Sequence, residues 1–270
     1  MSKGERVFLG VPCGTGRPHK ETARAVLSAS GLSAQQIEVV TLMHDGSVLT
    51  NVFNRLWASA LQNVRGGVTH FAMLHSDVGP ENGWLGKLLD ELVGADADLV
   101  SVVLPIKNDQ GLTSTGLGEI DEEYHYRRLT MKELYELPVT FTADDVEKTM
   151  PWGKPGSGRV LIVNTGCWVC DLRRPFWTAR DEHGFLKMYF ANHDRIRELE
   201  NGQFFVEFAP EDWLFSRMCH AAGAKVAATR AVKCLHYGEI GWPNDKPWGR
   251  TDTDTELETI YDRLLQPSVN

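Results

Sequence analysis

Along the first hundred residues, short apolar runs alternate with longer segments in which apolar side chains recur every three or four positions. Arg6 to Pro12, Ile37 to Met43, His70 to Leu74 and Asp98 to Pro105 are runs of the first kind. Each reads as a buried strand bounded by polar or turn-forming residues. Between them lie helical patterns: about 20–30 with Ala23, Val26 and Leu27, about 49–64 with Val52, Leu56, Ala60 and Leu61, and 84–92 with apolar residues at 84, 85, 88, 89 and 92. Gly31 is placed to stop the first helix. Strand and helix in alternation predict βαβ units, and hence an α/β fold with a mostly parallel sheet flanked by helices. Further on, Val160 to Cys170 reads as strand, turn, strand. Residues 211–222 read as a helix with apolar 214, 215, 218, 219 and 222, closed by Gly223, and strands follow at 225–229 and 232–237. No sustained period runs through about 107–159, which reads as an irregular insertion with a hairpin or ligand-facing loop at Gly111 to Gly118. From about 239 to 270 the chain reads as a Gly-, Pro- and Trp-rich loop and a tail.

Ligands of an open α/β sheet bind beyond the carboxyl ends of its strands. Three such ends are predicted to converge, at Pro12-Cys13-Gly14, at Asp45 and at His75-Ser76-Asp77. The loop Gly14-Thr15-Gly16-Arg17-Pro18 lets backbone approach a ligand, but it matches neither the dinucleotide fingerprint nor the P-loop. Arg55 lies beside the apolar face of the second helix. The late strand ends in His236-Tyr237-Gly238, which puts a metal-capable imidazole at another strand tip. Glu211 and Asp212 open a helix, where the macrodipole alone stabilises carboxylates.

Composition narrows the classes. With 42% hydrophobic and 24% charged residues the chain is globular. No apolar run reaches the ~20 residues of a membrane span, and no signal-peptide core opens the chain. Five cysteines, an odd and sparse set, suit a reducing compartment, so a cytoplasmic location is expected. Cys167 and Cys170 form a C-x-x-C inside a strand pattern, which puts the sulfurs on opposite faces and reads as structural rather than zinc-binding or redox-active. The net charge of -8 is concentrated in 75–150, with sixteen acidic and six basic side chains. That balance argues against general nucleic-acid binding and suits a metal ion or a polar neutral substrate.

Taken in order, these blocks resemble the GT-A glycosyltransferases over roughly residues 6 to 238. A first strand ends in a nucleotide-facing loop. His75-Ser76-Asp77 stands as a DxD-like element, with His75 where the family usually has Asp. A small-residue segment follows at Asn164 to Trp168, then the Glu211-Asp212 pair, then His236-x-Gly238. The resemblance implies a single GT-A (Rossmann-like) domain that moves a sugar from a UDP-sugar to an acceptor hydroxyl. It implies Mn²⁺ or Mg²⁺ held by Asp77 and His236, with His75 as a further ligand. Asp45 would hold the uracil or ribose, with Pro12, Cys13, Gly14 and Arg55 also on the nucleotide side. Asp212 would be the general base of an inverting transfer; Glu211 is its alternate, and a retaining outcome stays open. Tryptophans of 239–249 would stack on sugar rings as a closing loop, or anchor the C-terminal region. The acceptor stays open among a glycan, a small molecule and a modified DNA base. Two alternatives remain: a nucleotidyltransferase like the sugar-nucleotide pyrophosphorylases, whose Gly-rich Arg-containing loop 14–18 loosely resembles, and a non-catalytic metal- or carbohydrate-binding domain.

Overall fold

The computed structural model describes residues 4–14, 16–31, 37–199 and 201–252. Thr15 of the glycine loop and the tail from 253 onward lie outside the described residues. The N-terminal half folds as the periodicity predicts: β1 (Arg6–Cys13), α1 (Lys20–Gly31), β2 (Glu38–Asp45), α2 (Leu49–Asn63) and β3 (His70–Leu74). There follow β4 (Val78–Pro80), α3 (Trp84–Gly94) and β5 (Leu99–Val102). The region 107–159 carries β6 (Leu112–Gly118), β7 (Tyr126–Thr130), β8 (Thr140–Phe141) and α4 (Ala143–Thr149). The remainder holds β9 (Val160–Ile162), β10 (Cys167–Asp171), β11 (His193–Glu198), β12 (Phe204–Ala209), α5 (Glu211–Ala221), β13 (Val226–Thr229), β14 (Cys234–Tyr237) and β15 (Gly241–Pro243).

The central sheet has seven strands in the order β2-β1-β3-β10-β5-β13-β8. Five of them run in one direction; β10 lies antiparallel between β3 and β5, and β8 is antiparallel to β13. The α/β fold with a mostly parallel, helix-flanked sheet is therefore the one expected of the sequence. The insertion of β10 reverses one central strand, and its consequence is local. It brings the start of β10, rather than its end, to the edge where the parallel strands finish.

Alternation along the strands builds two cores. Phe8, Phe71, Met73, Trp168 and Cys170 face one side and pack with Phe53, Leu56 and Trp57 of α2 and with Phe215 of α5. Val7, Leu9, Val11, Ala72, Cys167 and Val169 face the other side and pack with Trp84, Leu85 and Leu88 of α3. Cys167 and Cys170 thus lie on opposite faces, and all five cysteines are free and buried.

Three boundaries differ from the sequence reading. Gly79-Pro80, which lie outside the strands and helices read from the sequence, belong to β4, because β14 comes alongside and pairs Val78 with His236. The apolar run 98–105 yields a shorter strand. At its start the Asp98 backbone still bonds to Lys225 O and Asp171 N while its carboxylate receives the Lys225 N–H at 2.9 Å and Arg174 Nε at 2.7 Å in a bend, and at its end Pro105 has no N–H to offer. Within 107–159, β6 pairs with β7 and β9 as a three-stranded antiparallel sheet. That sheet is tied to the end of β5 by Ser114 N–H donating to Leu104 O at 3.1 Å.

Candidate functional site

Because β1, β2, β3, β5 and β13 run in one direction, their last residues share one edge of the sheet. Cys13 stands opposite Asp45 in the β1–β2 register. The β3 end continues into His75-Ser76-Asp77, and this segment is held on all sides. His75 N–H donates to Gly166 O at 2.8 Å, His19 N–H to Ser76 O at 2.7 Å, and Tyr237 N–H to Asp77 O at 2.8 Å. Thr22 Oγ1 caps the same turn, donating to Val78 O at 2.7 Å, and His19 stacks on Tyr237 with centroids 3.7 Å apart. The glycine loop, the β3 tip and the β14 tip are therefore one assembly.

Asp77 and His236 meet in it. His236 Nδ1 lies 2.7 Å from Pro105 O. A carbonyl oxygen only accepts, so Nδ1 carries the hydrogen and Nε2 is left facing Asp77 Oδ2, 3.7 Å away. An imidazole oriented by a backbone carbonyl through its far nitrogen is the usual support of a metal-binding histidine. The separation is too long for a good hydrogen bond, yet it suits two donors with one cation between them, each at about 2.1 Å. The chemistry of the pair therefore fits a divalent cation. Lys107, which sequence reading passed over, forms an ion pair with the same Asp77 Oδ2, and its stem lies against Gly238. Burial pushes the Asp77 carboxyl up, but His236 and Lys107 outweigh it and hold the group well below the usual carboxylate range.

His75 is held differently. Its ring packs on Phe53 at 4.9 Å, and Nε2 is buried with no hydrogen-bond partner among the described residues. Burial, helped by the charges of His236 and Lys107 and opposed by Asp77, lowers its pKa to about 4. A neutral imidazole with an unused nitrogen can ligate or accept. Among the described residues, no three His, Cys, Asp or Glu side chains converge as a metal-holding group. Asp77 and His236 are thus a pair, with His75 beside them through two residues of chain.

Asp212 stands in the first turn of α5, which packs against β9. His220 Nε2 lies 2.9 Å from Leu161 O, and Ser216 Oγ lies 3.1 Å from both Val163 N and Val163 O. The helix thus runs antiparallel to β9. Trp213 fastens the Asp212 end, donating from Nε1 to Ser114 O at 3.1 Å. Asp212 is half-buried, and its Oδ1 accepts the Trp213 N–H at 2.9 Å. Burial first, and the neighbouring Glu211 second, push the Asp212 carboxyl well up, against the pull of Arg128. Burial raises Glu211 too. Arg128 lies over the Trp213 ring at 4.3 Å, and Tyr126 meets the same ring edge-on at 4.0 Å. Tyr126 also lines a cavity of about 320 Å³ with Tyr124, His125, Arg127 and Arg159.

The other expected residues divide. Asp45 is exposed at its strand tip, within reach of the glycine loop: a Cβ on Gly16 would lie 3.7 Å from its Oδ2. The Cys13 thiol is turned into the core, with Sγ 3.8 Å from Val11 O, so only backbone of Pro12-Cys13-Gly14 faces the edge. Arg55 is not drawn in. It sits on the solvent side of α2, its Nε donating to Asn51 Oδ1 at 2.9 Å. Trp242 and Trp248 stack on each other at 5.2 Å, and Trp248 packs against the core of the α2 side.

No protein-family model matches the sequence, and no curated protein matches it. The fold does have solved counterparts. The chain is similar to A197 from STIV, at 13% identity and a TM-score of 0.50, over 92% of this chain and 94% of that one. Weaker likenesses reach S. aureus TarS, at 11% identity and a TM-score of 0.43 over 83% of this chain and 35% of that one, and a point mutant of UDP-glucose pyrophosphorylase from Leishmania major, at 12% and 0.41 over 84% and 62%. By TM-score only the A197 likeness bears on this chain, and at 13% identity it bears on the fold alone.

Proposed function

We propose that the chain is a glycosyltransferase of the GT-A kind, moving a sugar from a UDP-sugar to an acceptor hydroxyl with the help of Mn²⁺ or Mg²⁺. The observation that carries this reading is the Asp77–His236 pair at the β3 tip, 3.7 Å apart, with the imidazole oriented by Pro105 O. Asp77 and His236 would hold the ion, with His75 Nε2 as a further donor. Once bound, the ion would neutralise charge on the departing diphosphate. Lys107 leaves Asp77 Oδ2 and turns its ammonium to a phosphate oxygen. Asp45 and the backbone of Pro12 to Gly14 seat the nucleoside, with Arg55 reaching it only if its rotamer changes. Asp212 accepts the proton of the acceptor hydroxyl as the oxygen attacks the anomeric carbon, which gives inversion; Glu211 is the alternate base. Arg128 keeps the ionised Asp212 within a favourable field. The acceptor enters past Tyr126, whose ring offers an apolar face to a sugar or a base. The five buried thiols suit a reducing, cytoplasmic setting.

The test is donor turnover. The purified protein is incubated with a panel of UDP-sugars, with and without Mn²⁺, and UDP release is followed. Slow, Mn²⁺-dependent release from one donor is expected. Formation of UTP that requires pyrophosphate would instead favour a nucleotidyltransferase, and binding without turnover a carbohydrate-binding domain.

A further inference from the structure

The hairpin β11–β12 is built inside out. Its register pairs Asp194 with Phe208, Ile196 with Val206 and Glu198 with Phe204 on one face, and His193 with Ala209, Arg195 with Glu207 and Arg197 with Phe205 on the other. The polar face looks inward. His193 Nδ1 lies 2.9 Å from Glu123 Oε2, and Arg195 pairs with Glu207 while its guanidinium sits 3.9 Å over the Tyr124 ring. The apolar face looks out: Phe204 is 72% exposed, Ile196 71%, Val206 56% and Phe208 48%. Among the described residues the hairpin is a two-stranded sheet with no third strand, an arrangement that is marginal in water without something to pack on.

We propose that this face is the contact between two copies of the chain, related by a two-fold axis near Val206. Three observations select a second copy. The first is area. The four side chains expose roughly 450 Å², taking about 150–200 Å² for each fully exposed. That equals the apolar share, a little over half, of the ~800 Å² each partner contributes to a standard interface. The second is self-complementarity: the patch is apolar at its centre, at Ile196 and Val206, and apolar again at Phe204 and Phe208, so rotation about the centre lays like on like. The third is charge. The flanking side chains on this face, Asp194 and Glu198, are acidic, and the chain carries a net charge of -8, so an anionic membrane or a nucleic acid is repelled. In a two-fold contact these carboxylates stay at the wet rim.

The full chain is examined by sedimentation velocity from about 5 to 200 µM. A dimer is expected, and Val206→Glu should weaken it by at least about thirtyfold, the effect of losing one central hot spot. Unchanged circular dichroism would show that the variant still folds. The second arm is Val206→Cys, which adds the only surface thiol among the described residues, the native ones being buried. A short bis-maleimide should join two copies of this variant, whereas Arg197→Cys, on the opposite face, should stay uncoupled. A monomer at 200 µM would overturn the proposal, as would a dimer indifferent to Val206→Glu. So would a monomeric Val206→Cys protein whose new thiol resists reagent, which would assign the cover to the chain's own residues beyond 252. Association of the monomer with zwitterionic vesicles, lost in Val206→Glu, would assign the face to lipid and likewise overturn it.

Discussion

Asp212 at the start of α5 and Asp77 at the β3 tip are two carboxylates whose surroundings push them in opposite directions. For Asp212, burial and Glu211 raise the folded-state pKa. Such a group favours the protonated native state, so its stabilising contribution is present in acid and is lost as pH rises through the raised value. Asp212→Asn removes that loss and keeps the acceptor that receives Trp213 N–H. Its melting temperature near neutral pH should therefore rise by a few degrees, while sugar transfer falls by about 10²–10⁴. In the wild type the acid limb of kcat should follow Asp212, and that limb should vanish in the Asn variant. A variant that melts lower and transfers normally would return the pair to helix capping. Asp77 runs the other way: its lowered pKa gives stability above the ordinary carboxylate range that is lost as pH falls. Lys107 competes for the same oxygen as any bound cation. Lys107→Met should bind Mn²⁺ about two- to fivefold more tightly, the worth of one exposed ion pair, as read by electron paramagnetic resonance of free Mn²⁺. Weaker binding would mean that Lys107 assists the ion.

At the scale of elements, the edge depends on how β3 and β10 meet. Gly166 immediately precedes β10, at a point where a Cβ would come within 2.5 Å of Leu104 Cδ1 and 3.3 Å of Asn164 Oδ1. Leu104 is itself buried at 1% exposure, so it has little room to yield. Gly166→Ala should cost about 1–3 kcal/mol in denaturant unfolding and should displace His75, whose N–H is bonded to the Gly166 carbonyl. The same strand settles the C-x-x-C. Cys167 and Cys170 point into different cores, so a zinc chelator should leave the melting curve unchanged; stoichiometric zinc lost in Cys167→Ser would contradict this. Much of the edge was legible in sequence because strands with a period of two, or fully buried, announce where they end. His75, Asp77, Asp45 and His236 all follow from that rule. Lys107 obeys it as well, lying just beyond Leu99 to Pro105, and the same reading would have found it had the rule been carried to that strand. The reversal of β10 was not legible, since a short apolar run has no direction written in it. Nor was Arg128 beside Asp212, which only the packing of β7 against α5 brings about. Arg55 failed for a simpler reason: helical position places a residue on a face but not at a ligand.

Across the whole molecule, the features divide between an edge that collects polar groups and a hairpin that displays apolar ones. Among the described residues no helix is long and apolar enough to cross a membrane, and the acidic run Glu119 to Glu123 lies in the β6–β7 connection beside the cavity at Tyr126. If the β3 tip binds the diphosphate of a nucleotide through a cation held by Asp77, UDP and Mn²⁺ must bind together. Isothermal titration with UDP, in Mn²⁺ and in chelator, compares the wild type with Asp77→Ala, and circular dichroism confirms that both are folded. The wild type should bind UDP at least tenfold more tightly with Mn²⁺ than without, and Asp77→Ala should lose that difference entirely. Equal UDP affinity in Mn²⁺ and chelator for the wild type, or a metal effect that survives in Asp77→Ala, would contradict it.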